Sequence, residues 1–243
     1  MELTQIEILQ GTFSSLYVLI SILLAILILV KYFKSKSKEL ILISFSMIAL
    51  AYSWMPDTIN FLMIFLTDSH LSLELYFLIG FAFLPSLIFC WLYVFTDFAF
   101  NEQQKIILNI FIYGNIVYET LFWYFLFNKI EELGVYQTPF QVEFGIFMQI
   151  YLVSMVGLVF ITGLILALKS LKVDNPAIKM RGKMIFLAIP SFTIGAALDS
   201  ILGAVNPVLI IFIRIFLILS AILFYLGFVL PEWFKKLFLK NKS

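Results

Sequence analysis

The chain alternates between long apolar runs and short segments that hold most of its charged residues. About 20 apolar residues, at 1.5 Å per residue, cross a hydrocarbon core of roughly 30 Å as an α-helix. The pattern predicts seven such spans, at residues 11–30, 40–67, 75–96, 106–128, 144–168, 184–205 and 208–230. The predicted fold class is therefore all-α: a polytopic bundle of seven transmembrane helices, forming a single domain over residues 1–243.

Composition supports a protein embedded in lipid. Hydrophobic residues make up 63% of the chain and charged residues 13%, with a mean hydropathy of +1.05, whereas about 25% of the residues in a soluble domain are charged. We therefore expect a multi-pass protein of the cell membrane, with the lipid bilayer as its main partner. Because 16 basic residues nearly balance 15 acidic ones, nucleic acid is not an expected partner.

The distribution of lysine and arginine predicts the orientation. Nearly all of the basic residues fall on one side of the predicted bundle, within residues 31–38, 105, 169–183 and 235–242. Since positively charged loops are retained in the cytoplasm, the N-terminus is expected outside and the C-terminus inside. The internal segment 169–183 contains the turn Asn175-Pro176, and its basic residues are expected to contact anionic lipid.

Two segments outside the spans have patterns of their own. Residues 128–141 form the only external connection long enough to cover anything, and their composition predicts a polar, turn-rich loop. Residues 231–243 place aromatic and leucine side chains at helical spacing between lysines, which predicts a short amphipathic helix on the inner membrane surface. This tail either anchors the last span or docks a cytoplasmic signalling partner.

Four spans contain one ionisable residue each, and a charge within hydrocarbon costs about 2.5–3.5 kcal/mol on insertion scales. These residues are Asp57, Glu119, Asp199 and Arg214. Asp199 and Arg214 lie on consecutive spans within one helical turn of each other in depth, so an ion pair between them is sterically easy. The remaining carboxylates would then await a cation, a proton or a ligand donor.

Further polar residues are placed to join this group. Asn60 is three residues from Asp57 and Asn115 is four from Glu119, so each shares a helical face with its carboxylate. Aromatic residues such as Trp54, Phe61, Trp123 and Tyr124 would line the same region. The sequence thus predicts an outward-facing ligand pocket, although the same groups could simply hydrogen-bond between helices. The predicted ligand-binding residues are Arg214, Asp199, Asp57, Glu119, Asn60, Asn115, Gln149 and Ser191.

Other chemistry is not expected. The single cysteine, Cys90, and the single histidine, His70, provide neither an internal disulfide nor a typical intramembrane metal site. No catalytic nucleophile with a paired base is recognisable, so an enzyme is not expected. The seventh span contains no lysine, which excludes a retinal Schiff base of the rhodopsin type, and no cofactor is predicted.

The chain resembles the seven-transmembrane sensor modules that precede histidine kinase or cyclase domains in bacteria and archaea. The resemblance is general and lies in the span pattern, in Arg181-Gly182-Lys183 and in Leu230-Pro231-Glu232-Trp233-Phe234. It implies a prokaryotic sensory or receptor-like protein that signals through a separate partner, because no kinase follows the last span. The alternative is a small transporter or proton- or cation-coupled carrier, in which Asp57 or Glu119 would bind and release the ion.

Overall fold

A computed structural model of the protein describes residues 3–138, 140–202 and 207–239. These residues are almost entirely α-helical, which confirms the all-α class. The helices are α1 (Gln5–Ser35), α2 (Glu39–Tyr52), α3 (Met55–Thr67), α4 (Leu73–Phe81), α5 (Leu84–Ala99), α6 (Gln104–Asn128), α7 (Ile146–Lys172), α8 (Pro176–Leu202), α9 (Pro207–Val229) and α10 (Glu232–Leu239). Two strands, β1 (Gly134–Thr138) and β2 (Gln141–Phe144), and two short 3₁₀ turns, Asn101–Gln103 and Ile130–Glu132, complete the described chain.

Within the described residues, six stretches are long and apolar enough to cross a membrane. Four of them lie in the single helices α1, α7, α8 and α9. The fifth combines α4 with α5, and the sixth combines the 3₁₀ turn Asn101–Gln103 with α6. Helices α2 and α3 together have the same character but are bent by 61° at the break between them. The protein is therefore a helical membrane protein, and α2 with α3 would form a further span if the bent pair crosses as one unit.

The break between α2 and α3, and a second one between α4 and α5, have the same cause. A proline ring clashes with the carbonyl four residues earlier and lacks an amide donor. Pro56 accordingly follows the end of α2 at Tyr52, and Pro85 follows the end of α4 at Phe81. Residues 40–67, predicted as one span, therefore consist mainly of two helices, α2 and α3. The first break packs closely on α4, since a Cβ at Gly80 would lie 2.8 Å from Pro56 Cγ.

The connection between α7 and α8 is much shorter than predicted. Helix α8 begins at Pro176 rather than near residue 184, so only residues 173–175 link the two helices. Asn175 Oδ1 accepts hydrogen bonds from the backbone amides of Ala177 (2.9 Å) and Ile178 (3.3 Å). This side chain caps the helix and Pro176 starts it, because both residue types suit a helix N-terminus. Most basic residues of segment 169–183 therefore lie on terminal helix turns, not in a loop.

The segment predicted as a polar loop at residues 128–141 contains most of an antiparallel hairpin instead. Strands β1 and β2 pair with Tyr136 opposite Val142 and Gly134 opposite Phe144. Phe140 and Val142 are buried, and Phe77 and Phe81 of α4 contact the ring of Phe144. We call the side of the bundle that holds these strands the hairpin end, and the opposite side, where most lysines cluster, the basic end.

At the basic end, two lysines close gaps between helix termini. Lys31 Nζ donates to the carbonyl of Val229 at 2.8 Å, which joins α1 to α9. Lys169 Nζ donates to the carbonyl of Ala99 and lies 4.2 Å from the centre of the Phe100 ring, which joins α7 to α5. Such contacts satisfy carbonyls that a helix C-terminus leaves without intrahelical partners.

The predicted tail helix is present as α10. Phe234 is buried against Leu226 and Leu230, whereas Trp233 and Phe238 are exposed. The helix is therefore amphipathic, as the sequence predicted, with one aromatic residue fastened to the bundle. Residues 240–243 of the predicted tail lie outside the described part of the chain.

Close approach of α7 and α8 at Gly163 provides a test of this packing. A Cβ at Gly163 would overlap the fully buried side chain of Ile189, whereas a Cβ at Gly157 on the same helix would meet open space. We expect Gly163→Ala to lower the free energy of unfolding by about 1–3 kcal/mol, the usual cost of overpacking. Gly157→Ala should not destabilise the protein, because it adds only helix propensity. Thermal unfolding in one detergent would compare them, and equal stability would contradict the packing.

Candidate functional site

A cavity of about 510 Å³ lies in the half of the bundle nearest the hairpin. Its walls come from α1 to α5 and α7 to α9, and the hairpin covers it with Phe140, Val142 and Phe144. Ile88, Val159 and Phe192 form its deepest part. The volume falls within the usual range of small-molecule sites, about 300–1,000 Å³.

An ion pair between a buried guanidinium and a partly exposed carboxylate forms part of the cavity wall. Arg214 Nη1 of α9 lies 2.9 Å from Asp199 Oδ2 of α8, and only 1% of the Arg214 side chain is exposed. The same oxygen accepts a hydrogen bond of 2.7 Å from Trp54 Nε1, and the guanidinium lies 5.8 Å from the centre of the Trp54 ring. The pair anticipated from the sequence is therefore present, and Trp54 at the α2–α3 break binds both partners.

Asp57 also lines the cavity, with a different hydrogen-bond partner. Its Oδ1 accepts a 2.9 Å hydrogen bond from the hydroxyl of Tyr76, and 5% of the residue is exposed. In the described part of the chain, Asp57 takes part in no ion pair. The bond between Asp57 and Tyr76 holds α3 against α4 and directs a carboxyl group with no direct counter-charge towards the cavity.

Two glutamine side chains attach the hairpin to the bundle. Gln10 Nε2 of α1 donates to the carbonyl of Phe140 at 2.9 Å, and Gln149 Nε2 of α7 donates to the carbonyl of Phe144 at 2.7 Å. Both residues line the cavity. The Oε1 atom of Gln10 is buried and accepts no hydrogen bond. A buried acceptor left unpaired costs about 1–3 kcal/mol.

Glu119 and Asn115 do not join this site, contrary to the sequence prediction. Both lie on α6, which packs at the edge of the bundle and does not line the cavity. Glu119 Oε2 accepts from Trp123 Nε1 at 2.8 Å on the same helix, and Asn115 Oδ1 accepts from the Tyr151 hydroxyl at 3.0 Å. The spacing of four residues correctly placed Asn115 and Glu119 near one face of the helix. It does not determine which other helix packs against that face.

Asn60 and Ser191 are also absent from the cavity lining. Asn60 Oδ1 accepts a 2.7 Å hydrogen bond from the backbone amide of Leu71, which fixes the connection between α3 and α4. The hydroxyl of Tyr136 donates to the carbonyl of Leu71 at 3.3 Å, and burial raises the pKa of Tyr136, so this group stays protonated. Ser191 donates to the carbonyl of Leu187 within α8. These side chains support the scaffold.

Comparison with family models, curated proteins and solved structures finds no match to this chain. In the described ranges, no group of three or more histidine, cysteine, aspartate and glutamate residues is arranged to hold a metal ion. The cavity instead combines an ion pair, a second carboxyl group and unpaired hydrogen-bonding atoms with a mainly apolar wall, a composition typical of small-molecule sites.

The sequence did not identify Tyr76 or Gln10 as parts of the site. Tyr76 lies 19 residues from Asp57 along the chain, so the contact depends on how α4 returns beside α3. Gln10 lies just before the first predicted span, where a polar residue is unremarkable. Gln10 nevertheless lies within α1, because a capping box formed by Thr4 and Glu7 starts this helix before the first predicted span.

Removing one partner of the ion pair tests how much the stability of the protein depends on the pair. We expect Asp199→Ala to lower the free energy of unfolding by about 3 kcal/mol or more, because it leaves the Arg214 guanidinium without its counter-charge. The matched control is Asp174→Ala, which removes an exposed carboxylate 3.6 Å from Lys179 and should leave the melting temperature unchanged. Adding Arg214→Met to Asp199→Ala should recover stability. An Asp199→Ala protein as stable as the parent would contradict the assignment.

Proposed function

We propose that this protein is a seven-helix, receptor-like membrane protein that binds a small molecule in the cavity and signals through a separate partner. The observation that supports it best is the covered cavity of about 510 Å³ with the Arg214–Asp199 pair in its wall. The resemblance to prokaryotic seven-transmembrane sensor modules agrees with this proposal. The candidate ligand-contacting residues are Arg214, Asp199, Asp57, Gln10 and Gln149.

The proposal includes an orientation. The lysines at the basic end favour a cytoplasmic location for that end, so the N-terminus and hairpin would face outside and α10 the cytoplasm. The cavity, which lies near the hairpin, would then collect its ligand from the outside. In this arrangement α2 and α3 cross the membrane together as one bent span.

A receptor is favoured over a carrier by what lies between the cavity and the basic end. Trp91 Nε1 donates to Thr162 Oγ1 at 2.8 Å, and the rings of Phe224 and Phe228 pack edge-on against Trp91. In this layer Trp91 and Thr162 are buried, three residues beyond the cavity-lining Ile88 and Val159 towards the basic end. A carrier would have to open this layer in each transport cycle, whereas a receptor needs only a shift between two states that bind the ligand unequally.

The carrier is kept as a second candidate because of Asp57. A buried carboxyl group with no ion-pair partner is the kind of group that binds a proton or cation in transporters. Purified protein in liposomes separates the two functions: coupled movement of a proton or cation with a solute would support the carrier, and binding without flux would support the receptor.

The crossing of α2 and α3 can be tested by cysteine labelling. In a Cys90→Ala background, single cysteines at Lys38 and Ser69 would precede and follow the bent pair at exposed positions. We expect an impermeant maleimide added outside intact cells to label Ser69→Cys and not Lys38→Cys. Gln137→Cys in the hairpin and Asp174→Cys at the basic end serve as outside and inside controls. Labelling of positions 38 and 69 from the same side would show a re-entrant pair and contradict the seven-span proposal.

The binding site can be tested by filling the cavity. Val156 lines the cavity, whereas Ile150 on the same helix is exposed and does not line it. Native mass spectrometry of the gently purified protein should show a bound small molecule that Val156→Phe removes and Ile150→Phe retains, because only the first ring enters the cavity. Both variants should unfold at similar temperatures. A small molecule retained by Val156→Phe would place its site elsewhere.

A further inference from the structure

We propose that the ligand of this cavity is an amphiphilic cation, with an ammonium head and an apolar body. The proposal rests on the function proposed above, because it assigns a chemical class to the ligand of that cavity. Two features of the described residues support it: the balance of charged groups and the aromatic character of the wall.

The charged groups of the cavity wall favour a positive ligand. The lining contains the carboxyl groups of Asp57, Asp199 and Glu143 and one guanidinium, that of Arg214. Asp199 already neutralises Arg214 at 2.9 Å. Asp57 and Glu143 have only neutral hydrogen-bond donors, the Tyr76 hydroxyl at 2.9 Å and Gln137 Nε2 at 2.7 Å respectively. An anionic head would therefore meet two carboxyl groups that form no ion pair among the described residues, whereas an ammonium group would provide a counter-charge.

The wall itself suits a cation with an apolar body. Six aromatic residues line the cavity: Trp54, Tyr76, Phe81, Phe140, Phe144 and Phe192. The faces of such rings attract ammonium groups, most strongly where water is excluded. Aliphatic side chains of α5 and α7, including Ile88, Leu152 and Val159, complete the wall and would contact the apolar part of the ligand.

The opening of the cavity indicates how such a molecule would enter. The exposed members of the lining are Gln137, Glu143, Gln149 and Val153. Val153 lies seven residues into α7, roughly 10 Å along the helix axis, and 72% of its side chain is exposed. The opening of the cavity therefore extends from the carboxylate of Glu143 on the hairpin to the apolar surface of α7 at Val153. An amphiphile lying in the membrane would meet the carboxylate with its head and the helix with its chain.

The test compares three probes that share one ten-carbon chain: decyltrimethylammonium, decanol and decanoate. Binding to purified protein in a nonionic detergent would be titrated by native mass spectrometry, for the parent and for Asp57→Asn, Glu143→Gln and Glu119→Gln. Glu119→Gln is the matched control, because Glu119 is also a helix carboxylate but does not line the cavity. Glu143 is exposed, so its variant tests the same charge without disturbing the core.

We expect the ammonium probe to bind about tenfold more tightly than decanol or decanoate, and Asp57→Asn and Glu143→Gln each to weaken it several-fold, as loss of a charge-assisted contact would do. Glu119→Gln should bind as the parent does. Tighter binding of decanoate or decanol, lost in Val156→Phe, would overturn the cationic class while leaving the cavity as a ligand site. Failure of every probe to bind in a manner sensitive to Val156→Phe would overturn the site as well.

Discussion

A guanidinium inside a membrane needs a counter-charge, and the hairpin half of this bundle is organised around that requirement. Arg214 on α9 meets Asp199 on α8, and Trp54 bonds to the same carboxylate oxygen from the break between α2 and α3. Three separate parts of the chain thus converge on one charged pair. Because removing a charge from water is costly unless it is paired and hydrogen-bonded, this pair fixes how α8, α9 and the α2–α3 break lie relative to one another.

The two proline breaks provide the space that this convergence needs. At each break the helix ends four residues before a proline, so the chain changes direction without an unpaired interior turn. The α2–α3 break brings Ser53, Trp54 and Asp57 to the cavity wall. The chain at this break therefore forms part of the cavity wall, together with the polar residues of α8 and α9.

Much of the fold could be predicted from the sequence because lipid imposes a simple rule on helices. Apolar length located the helices that can span, and amphipathic spacing located α10. Residues near each other in sequence and depth, such as Asp199 and Arg214 on consecutive helices, were paired correctly. Contacts that depend on which non-consecutive helices pack together were not predictable. Tyr76 with Asp57 and Asn115 with Tyr151 belong to that class, as does the hairpin, whose strands are too short to give a clear alternating pattern.

Phe234 of α10 packs at the basic end against α8 and α9, the same two helices that the ion pair joins near the hairpin end. Its buried ring sits on Leu226 and Leu230 of the α9 exit and on Met180 and Met184 of α8. This seat is built from two helices, so it keeps its shape only while α8 and α9 keep one register. Asp199 and Arg214 join the same two helices at the far end. A shift of α8 relative to α9 would therefore change the surface on which Phe234 packs, and with it the position of α10 on the side of the bundle opposite the cavity.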